Sequence, residues 1–160
     1  MMNDALIEKQ DKVFDFLVKE INQCIQEKGS CILAIEGRAA AGKTTLATIL
    51  QETFEAAVIH MDDFFLPLEL RTKVRYDTPG GNIHYERFNQ EVARALRQKE
   101  AFQYQGFNCK KMQLDTWQDV ENKQVIIIEG TYAMHPEVRV SYDLKVFSDI
   151  EQKEQEDRIL

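Results

Sequence analysis

Short apolar runs alternate with amphipathic stretches along this chain. Four runs are nearly unbroken: Cys31 to Ile35, Ala56 to His60, Val125 to Ile128 and Leu144 to Phe147. Such runs are typical of strands buried on both faces, as in a parallel sheet. Loop or helix material separates them. The pattern therefore predicts an α/β fold in which helices flank a parallel sheet.

Three stretches show apolar residues at helical spacing. Residues 4–27 form such a stretch before the first predicted strand, and Thr44 to Phe54 forms another directly after it. Tyr85 to Gln98 presents its apolar residues on one face, which predicts a third helix. Phe102 to Leu114 alternates weakly, and we interpret it as a hairpin at one side of the sheet.

Composition favours a single globular domain over residues 1–160. The 160 residues suffice for one hydrophobic core, and 44% of them are apolar and 29% charged. No apolar run is long enough to span a bilayer, so no membrane role is expected. The net charge of -7 argues against a nucleic-acid surface. Because Met1 to Asp4 lacks the basic and apolar regions of a secretory signal, we expect a cytoplasmic location.

A glycine-rich segment lies between the first predicted strand and the next helix. It contains two glycines followed by Lys43 and Thr44. In such a loop the glycines let backbone N–H groups face a phosphate, the lysine reaches the outer phosphates, and the hydroxyl can hold Mg²⁺. The strand before it and the helix after it favour this interpretation over a plain turn. The residues predicted to bind nucleotide are Gly37, Arg38, Ala39, Ala40, Ala41, Gly42, Lys43, Thr44 and Thr45.

Carboxylates follow two other predicted strands. Asp62 and Asp63 come after Ala56 to His60, and Glu129 closes Val125 to Ile128. Ligands of open parallel sheets bind at the carboxyl ends of strands. Phosphoryl transfer from ATP needs Mg²⁺ and a carboxylate that accepts the proton of the acceptor hydroxyl, so these residues are candidates for both tasks. Without the phosphate loop, a capping Asp pair and a plain strand-end glutamate would be the alternatives.

The string Asp77-Thr78-Pro79-Gly80 is similar to one in GTP switches, but its context differs. Polar residues precede it where those switches have a hydrophobic strand, and Asn122 to Val125 lacks the aspartate that reads guanine. Pro79-Gly80-Gly81 therefore predicts a turn. Asp77 is then free to meet a substrate.

The combination of these motifs resembles the uridine kinase and phosphoribulokinase family of P-loop kinases. The motifs that carry the resemblance are Gly37 to Thr44, His60 to Phe65, Asp77 with Pro79, and Ile128 to Gly130. It implies a three-layer P-loop NTPase fold that uses ATP and Mg²⁺. Asp62 is then the catalytic base, with Lys43 as a second catalytic residue at the phosphates. Magnesium is then held by Thr44, Asp62 and Glu129.

The resemblance also implies a small-molecule acceptor, first of all uridine or a related nucleoside. Asp77 matches an aspartate that contacts ribose hydroxyls, and Tyr104 stands for a tyrosine that reads the pyrimidine. A half-buried hairpin aromatic is the alternative for Tyr104. Cys109 falls near the family's pyrimidine-reading histidine, so a sugar, a vitamin alcohol or another nucleoside stays open. A homo-oligomer is open as well.

Family members continue into an arginine-rich lid, then a further strand and helix. Only Arg158 stands for the lid here, so we expect a fold that is incomplete at its C-terminus. A nucleotide-binding regulatory ATPase without a small-molecule acceptor is the rival interpretation. A binding protein whose loop has lost its function is the third.

Overall fold

The structure is a computed structural model that describes residues 4–37 and 43–148. Side chains are described for residues 12–37 and 46–147. Within these residues the helices are α1 (Asp4–Lys28), α2 (Lys43–Phe54), α3 (Lys73–Asp77), α4 (Tyr85–Phe88) and α5 (Arg94–Gln98). The strands are β1 (Cys31–Gly37), β2 (Ala57–His60), β3 (Phe102–Asn108), β4 (Gln113–Val120), β5 (Val125–Glu129) and β6 (Leu144–Ser148).

The helix predicted over Tyr85 to Gln98 is present but not uniform. Its middle, Asn89–Ala93, is a π-helical segment that joins α4 directly to α5. Lys99, in the left-handed conformation, ends the helix. A change of hydrogen-bonding pattern inside a continuous helix leaves no trace in apolar spacing, so the sequence could not show it.

The predicted hairpin is also present, but its second half was placed wrongly. We predicted that it ends at Leu114, whereas β4 runs on to Val120 and pairs antiparallel with β3. Most side chains of β4 are exposed, and Val120 alone among them is buried. An exposed polar strand lacks the apolar alternation by which strands are recognised.

Four strands form one parallel sheet in the order β2-β5-β1-β6. After β1 the chain crosses to β2, the edge strand on one side of the sheet. After the adjacent β5 it crosses to β6, the edge strand on the other side. Loops that depart in opposite directions open a crevice between the carboxyl ends of these two neighbours, where ligands of such sheets bind. The parallel sheet flanked by helices confirms the predicted fold class.

Hydrophobic clusters cover both faces of this sheet. Residues of β5 alternate between them, because Ile126 and Ile128 join one cluster whereas Val125 and Ile127 join the other. The first cluster includes Phe88 and residues of the hairpin, and the second includes residues of α1 and α2. Burial on both faces explains why β5 is an unbroken apolar run. No described helix has the length and apolar character needed to cross a membrane.

Asp143, next to β6, ties the end of α1 to the start of β1. Its carboxylate binds Lys28 Nζ at 2.8 Å and accepts a hydrogen bond from the Ile32 backbone N–H at 2.8 Å. Among the described residues, Asp143, Cys24 and Cys31 form the single group of three metal-ligand side chains with ligand atoms within 4.8 Å of one another. Burial raises the pKa of Cys31 to about 12, so its thiol stays protonated. We therefore interpret this cluster as a structural contact that holds the end of α1, the start of β1 and the residue before β6 together.

Candidate active site

Three strands end side by side at the carboxyl edge of the sheet. In register, His60 of β2 pairs with Glu129 of β5, which pairs with Ile35 of β1. Strand β1 ends at Gly37, and the backbone of Lys43 opens α2. This strand-to-helix connection is the context that a phosphate-binding loop requires.

Much of the predicted loop lies outside the described residues. This holds for the whole of residues 38–42, and for the side chains of Lys43, Thr44 and Thr45, whose backbone forms the first turn of α2. Arg158, which we predicted to represent the lid, is outside them too. The phosphate and lid contacts of these residues therefore stay predictions.

Glu129 is a buried carboxylate at the crevice, with only 4% of its surface exposed. One carboxylate oxygen, Oε1, lies 2.5 Å from Nδ1 of His60. The other, Oε2, is buried and has no hydrogen-bond partner among the described residues. A buried charged oxygen without a partner is costly. Magnesium prefers carboxylate oxygens and water as ligands, so Oε2 of Glu129 fits a magnesium site.

His60 is a member of the site to which sequence reasoning gave no role. Its side chain is 48% exposed, and the hydrogen bond that its ring donates to Glu129 raises its pKa above the ordinary value. The bond depends on the register of β2 against β5, which aligns the two residues. The sequence signal was only that both residues end apolar runs.

Gly130 allows the segment that follows β2 to lie close to Glu129 at the end of β5. Its φ is +153°, and a Cβ atom at this position would overlap the side chain of Met61. Met61 is the first residue of a 3₁₀ turn, Met61–Asp63, that contains both predicted aspartates. The glycine of the Glu-Gly pair therefore allows the aspartate turn to pack directly on the end of β5.

The two aspartates of this turn differ in their surroundings. Asp62 is exposed and forms no hydrogen bond with a described residue. Asp63 is half-buried, and its Oδ2 accepts a hydrogen bond of 2.8 Å from the Tyr104 hydroxyl. Asp62 is thus the more accessible of the two carboxylates, and the sequence separated the two only through the family resemblance.

Tyr104 lies in the core, with 2% of its surface exposed. Its ring centroid is 5.0 Å from that of Phe64. Burial, together with the nearby charge of Asp63, raises the pKa of Tyr104 well above its ordinary value, so the hydroxyl remains a donor. The alternative of a half-buried aromatic understates its burial. The Tyr104 hydroxyl is thus engaged in a hydrogen bond within the protein, to Asp63. Its predicted contact with an acceptor stays a prediction.

Asp77 is exposed at the end of α3, a short helix that the sequence did not predict. A turn follows, as predicted, in which the Gly81 N–H donates to the Thr78 carbonyl at 2.9 Å. Asp77 lines a cavity of about 320 Å³. That volume lies in the range of small-molecule sites. Other residues around the cavity are Arg71, Arg75, Asn82 and Tyr132.

The walls of the cavity come from separate parts of the chain. Tyr132 belongs to the loop after β5, while the 71–82 segment forms the rest. Arg75 fixes that segment, because its guanidinium donates to the carbonyls of Gly81 and Ile83 and to Glu86. Hydrogen bonds also join residues 64–66 to residues 82–84. Backbone pairing thus joins the cavity segment to the residues that directly follow the aspartate turn.

Comparisons with known proteins agree with this architecture. Residues 32–155 match the family model described as phosphoribulokinase / uridine kinase family. No curated protein matches the chain significantly.

Similar solved structures are kinases by description. A "possible uridine kinase" from Bacillus stearothermophilus has a TM-score of 0.73 and 24% identity, covering 92% of this chain and 85% of that one. A "putative fructose transport system kinase" from Silicibacter sp. TM1040 has a TM-score of 0.68 and 22% identity, covering 92% and 77%. D-glycerate 3-kinase from Cryptococcus neoformans has a TM-score of 0.56 and 15% identity, covering 76% and 51%. At identities this low, the structural similarity shows a shared fold and nothing more specific.

Proposed function

The chain belongs to the phosphoribulokinase / uridine kinase family, and from that premise we propose that it transfers the γ-phosphate of ATP to a hydroxyl of a small-molecule acceptor. A nucleoside such as uridine is the first acceptor to consider, since one similar structure is described as a "possible uridine kinase". A sugar or vitamin alcohol is the alternative. The descriptions of other similar structures, which name fructose transport and D-glycerate, keep that alternative open.

The observation that carries the proposal is the pairing of a buried and a free carboxylate at one sheet edge. Glu129 keeps a buried oxygen without a partner, and Asp62 projects from a turn packed on Gly130. A cation contact and a proton acceptor are what phosphoryl transfer to an alcohol requires. The end of β1, from which the phosphate loop departs, lies beside Glu129.

The proposed reaction gives each group one task. The loop Gly37 to Thr44, with Lys43, binds the phosphates of ATP. Asp62 accepts the proton of the acceptor hydroxyl as its oxygen forms a bond to the γ-phosphorus, while the bond to the bridging oxygen breaks and ADP leaves. Magnesium, when bound by Thr44, Asp62 and Glu129, offsets the negative charge of the phosphates.

Asp77 is proposed to orient the acceptor. A carboxylate accepts two hydrogen bonds from neighbouring hydroxyls, as on ribose or another polyol. The exposure of Asp77 within the 320 Å³ cavity supports this role. The hairpin with Tyr104 is proposed to close the acceptor side.

An acceptor screen tests the proposal. The chain is incubated with ATP, Mg²⁺ and, one at a time, nucleosides, sugars and vitamin alcohols, and ADP release and product mass are measured. We expect ADP release that depends on one acceptor class, together with a product heavier by one phosphoryl group. An ATP hydrolysis rate unaffected by every acceptor would contradict the proposal and favour a regulatory ATPase. Absence of saturable ATP binding would point to a loop without function.

A further inference from the structure

The proposed base is not held by its own side chain. Asp62 forms no hydrogen bond with a described residue, so its position depends on the backbone of the Met61–Asp63 turn. At the end of that turn the Phe64 N–H donates to the Met61 carbonyl at 3.0 Å. Contacts that reach the turn from other elements add to this and restrict where Asp62 points.

Those contacts converge on the next residue, Asp63. Its backbone carbonyl accepts a hydrogen bond of 2.6 Å from Nη2 of Arg87, and its carboxylate accepts the hydroxyl of Tyr104 at 2.8 Å. The carboxylate also lies against the backbone of Gly106, where a Cβ atom would be 3.3 Å from Oδ1. Helix α4 thus holds the main chain of Asp63 through Arg87, and strand β3 holds its side chain through Tyr104.

Arg87 links three elements at once. Nη1 donates to the Gln105 carbonyl of β3 at 2.6 Å and to Glu91 of its own helix at 2.8 Å. Its guanidinium carbon lies 4.3 Å from the ring centroid of Phe64. Only 12% of this side chain is exposed. A largely buried arginine that donates to carbonyls of two separate segments locks their relative position.

We propose that Arg87 and Tyr104 are positioning residues that set the orientation of Asp62 by clamping Asp63 to the hairpin. The inference rests on the proposed role of Asp62 as the base. A shift of about 1 Å in a reacting group can lower the rate about a hundredfold. The clamp thereby makes the hairpin, on the acceptor side, part of the apparatus that aims the base.

The chain offers matched variants for a test. Arg87→Met keeps an unbranched chain over Phe64 but removes the hydrogen bonds, and Tyr104→Phe removes only the hydroxyl. Arg94→Met is the control for the first, because Arg94 is exposed in α5 and forms no hydrogen bond with a described residue. Tyr142→Phe is the control for the second, because the Tyr142 hydroxyl binds the Ala133 carbonyl at 2.7 Å, outside the clamp.

We expect Arg87→Met to lower kcat about 10- to 100-fold and Tyr104→Phe to lower it less, with the KM for ATP of both close to that of their controls. The thermal midpoint of Arg87→Met should fall below that of Arg94→Met, because the carbonyls of Asp63 and Gln105 lose their donor. Asp63→Asn keeps an oxygen that accepts from Tyr104 and should retain most activity, whereas Asp63→Ala should not. Combining Asp63→Ala with Tyr104→Phe should cause no further loss beyond the larger single effect. An unchanged kcat in Arg87→Met, with an active parent protein, overturns the clamp.

Hydrogen exchange tests the clamp without relying on activity. The amides of residues 61–66 should exchange several-fold faster in Arg87→Met than in Arg94→Met, while those of β1 and β5 stay protected. Equal exchange in the two variants overturns the inference. If the parent protein phosphorylates no acceptor, the proposed function fails, and faster exchange would still show that Arg87 holds the turn.

Discussion

The ends of β5 and β2 each present a carboxylate at the same edge of the sheet, yet they do so in opposite ways. Glu129 at the end of β5 is buried and bound by His60 through one oxygen. Asp62, just beyond β2, is exposed and has no hydrogen-bond partner among the described residues. The two ends touch through Met61 and Gly130.

This difference follows the tasks proposed for the two groups. A carboxylate that helps to hold a cation benefits from being buried and held in one orientation. The oxygen that makes no hydrogen bond within the protein is then directed at the cation. A base must exchange a proton with a substrate, so at least one of its oxygens has to be accessible to the acceptor hydroxyl. Asp62 is accordingly positioned through the backbone of its neighbour Asp63.

The largest effect is expected from a change at the free end. Asp62→Asn removes the proton acceptor with little change in shape, and general-base catalysis contributes roughly 10²- to 10⁴-fold to rates. We expect kcat for acceptor phosphorylation to fall about a thousandfold, while the dissociation constant for ATP, measured by calorimetry, changes little.

Asp63→Asn serves as the comparison, since it changes the same charge one residue away. Comparable losses of kcat in both variants would show that the rate depends on the total negative charge of the turn and not on Asp62 as a base. Turnover close to that of the parent in Asp62→Asn would show that the base is another group.

A smaller effect is expected at the buried end. Glu129→Gln removes the charge that faces the proposed magnesium site, and residues that support a metal typically contribute about 10- to 100-fold to its affinity. The Mg²⁺ concentration that gives half-maximal ATP binding should rise about tenfold or more. Glu121→Gln, a change at an exposed surface glutamate, is the control and should leave it unchanged. An equal Mg²⁺ requirement in both variants would separate Glu129 from the metal.

Much of this edge was predictable from sequence, because its parts lie at the ends of unbroken apolar runs. Burial on both faces makes such runs distinctive, so β1, β2 and β5 were placed correctly. The residues directly after them then fall at one edge of a parallel sheet by geometry. The site residues drawn from this argument are proposals that the variants above test.

What the sequence could not show depends on contacts between distant segments. The bond between His60 and Glu129 requires the register of β2 against β5, and the bond between Tyr104 and Asp63 requires the hairpin to pack on the turn. Neither leaves a periodic signal. The length of β4 was missed for a different reason, since its exposed face removes the apolar pattern.

The contact between the two ends can be tested through Gly130→Ala. The added methyl group would overlap Met61, and overpacking in a core typically costs about 1–3 kcal/mol. We expect a lower free energy of unfolding in urea. Because the overlap lies with Cβ of Met61, which only glycine lacks, the double variant with Met61→Gly should lose less than the sum of the two single variants. Strict additivity would mean that the two ends do not press on each other.

The smallest effect concerns the pH dependence of the buried end. Glu129 raises the pKa of His60 above its ordinary value of 6.5, so the folded protein holds this proton more tightly than the unfolded chain does. The resulting stabilisation is complete below the unfolded pKa and is lost as pH rises through the folded pKa. Since the histidine is half-exposed, we expect it to be less than about 1 kcal/mol.

Urea unfolding of the parent protein and His60→Gln, without nucleotide or magnesium, measures this contribution. The difference between their free energies of unfolding should be larger at about pH 6 than at about pH 9. In a Glu129→Gln background the same substitution should give a difference that varies less with pH, because the charge with the largest effect on the pKa of His60 is gone. A difference that grows towards high pH would contradict the proposed pairing, and Glu129 would then need another group to hold it at the end of β5.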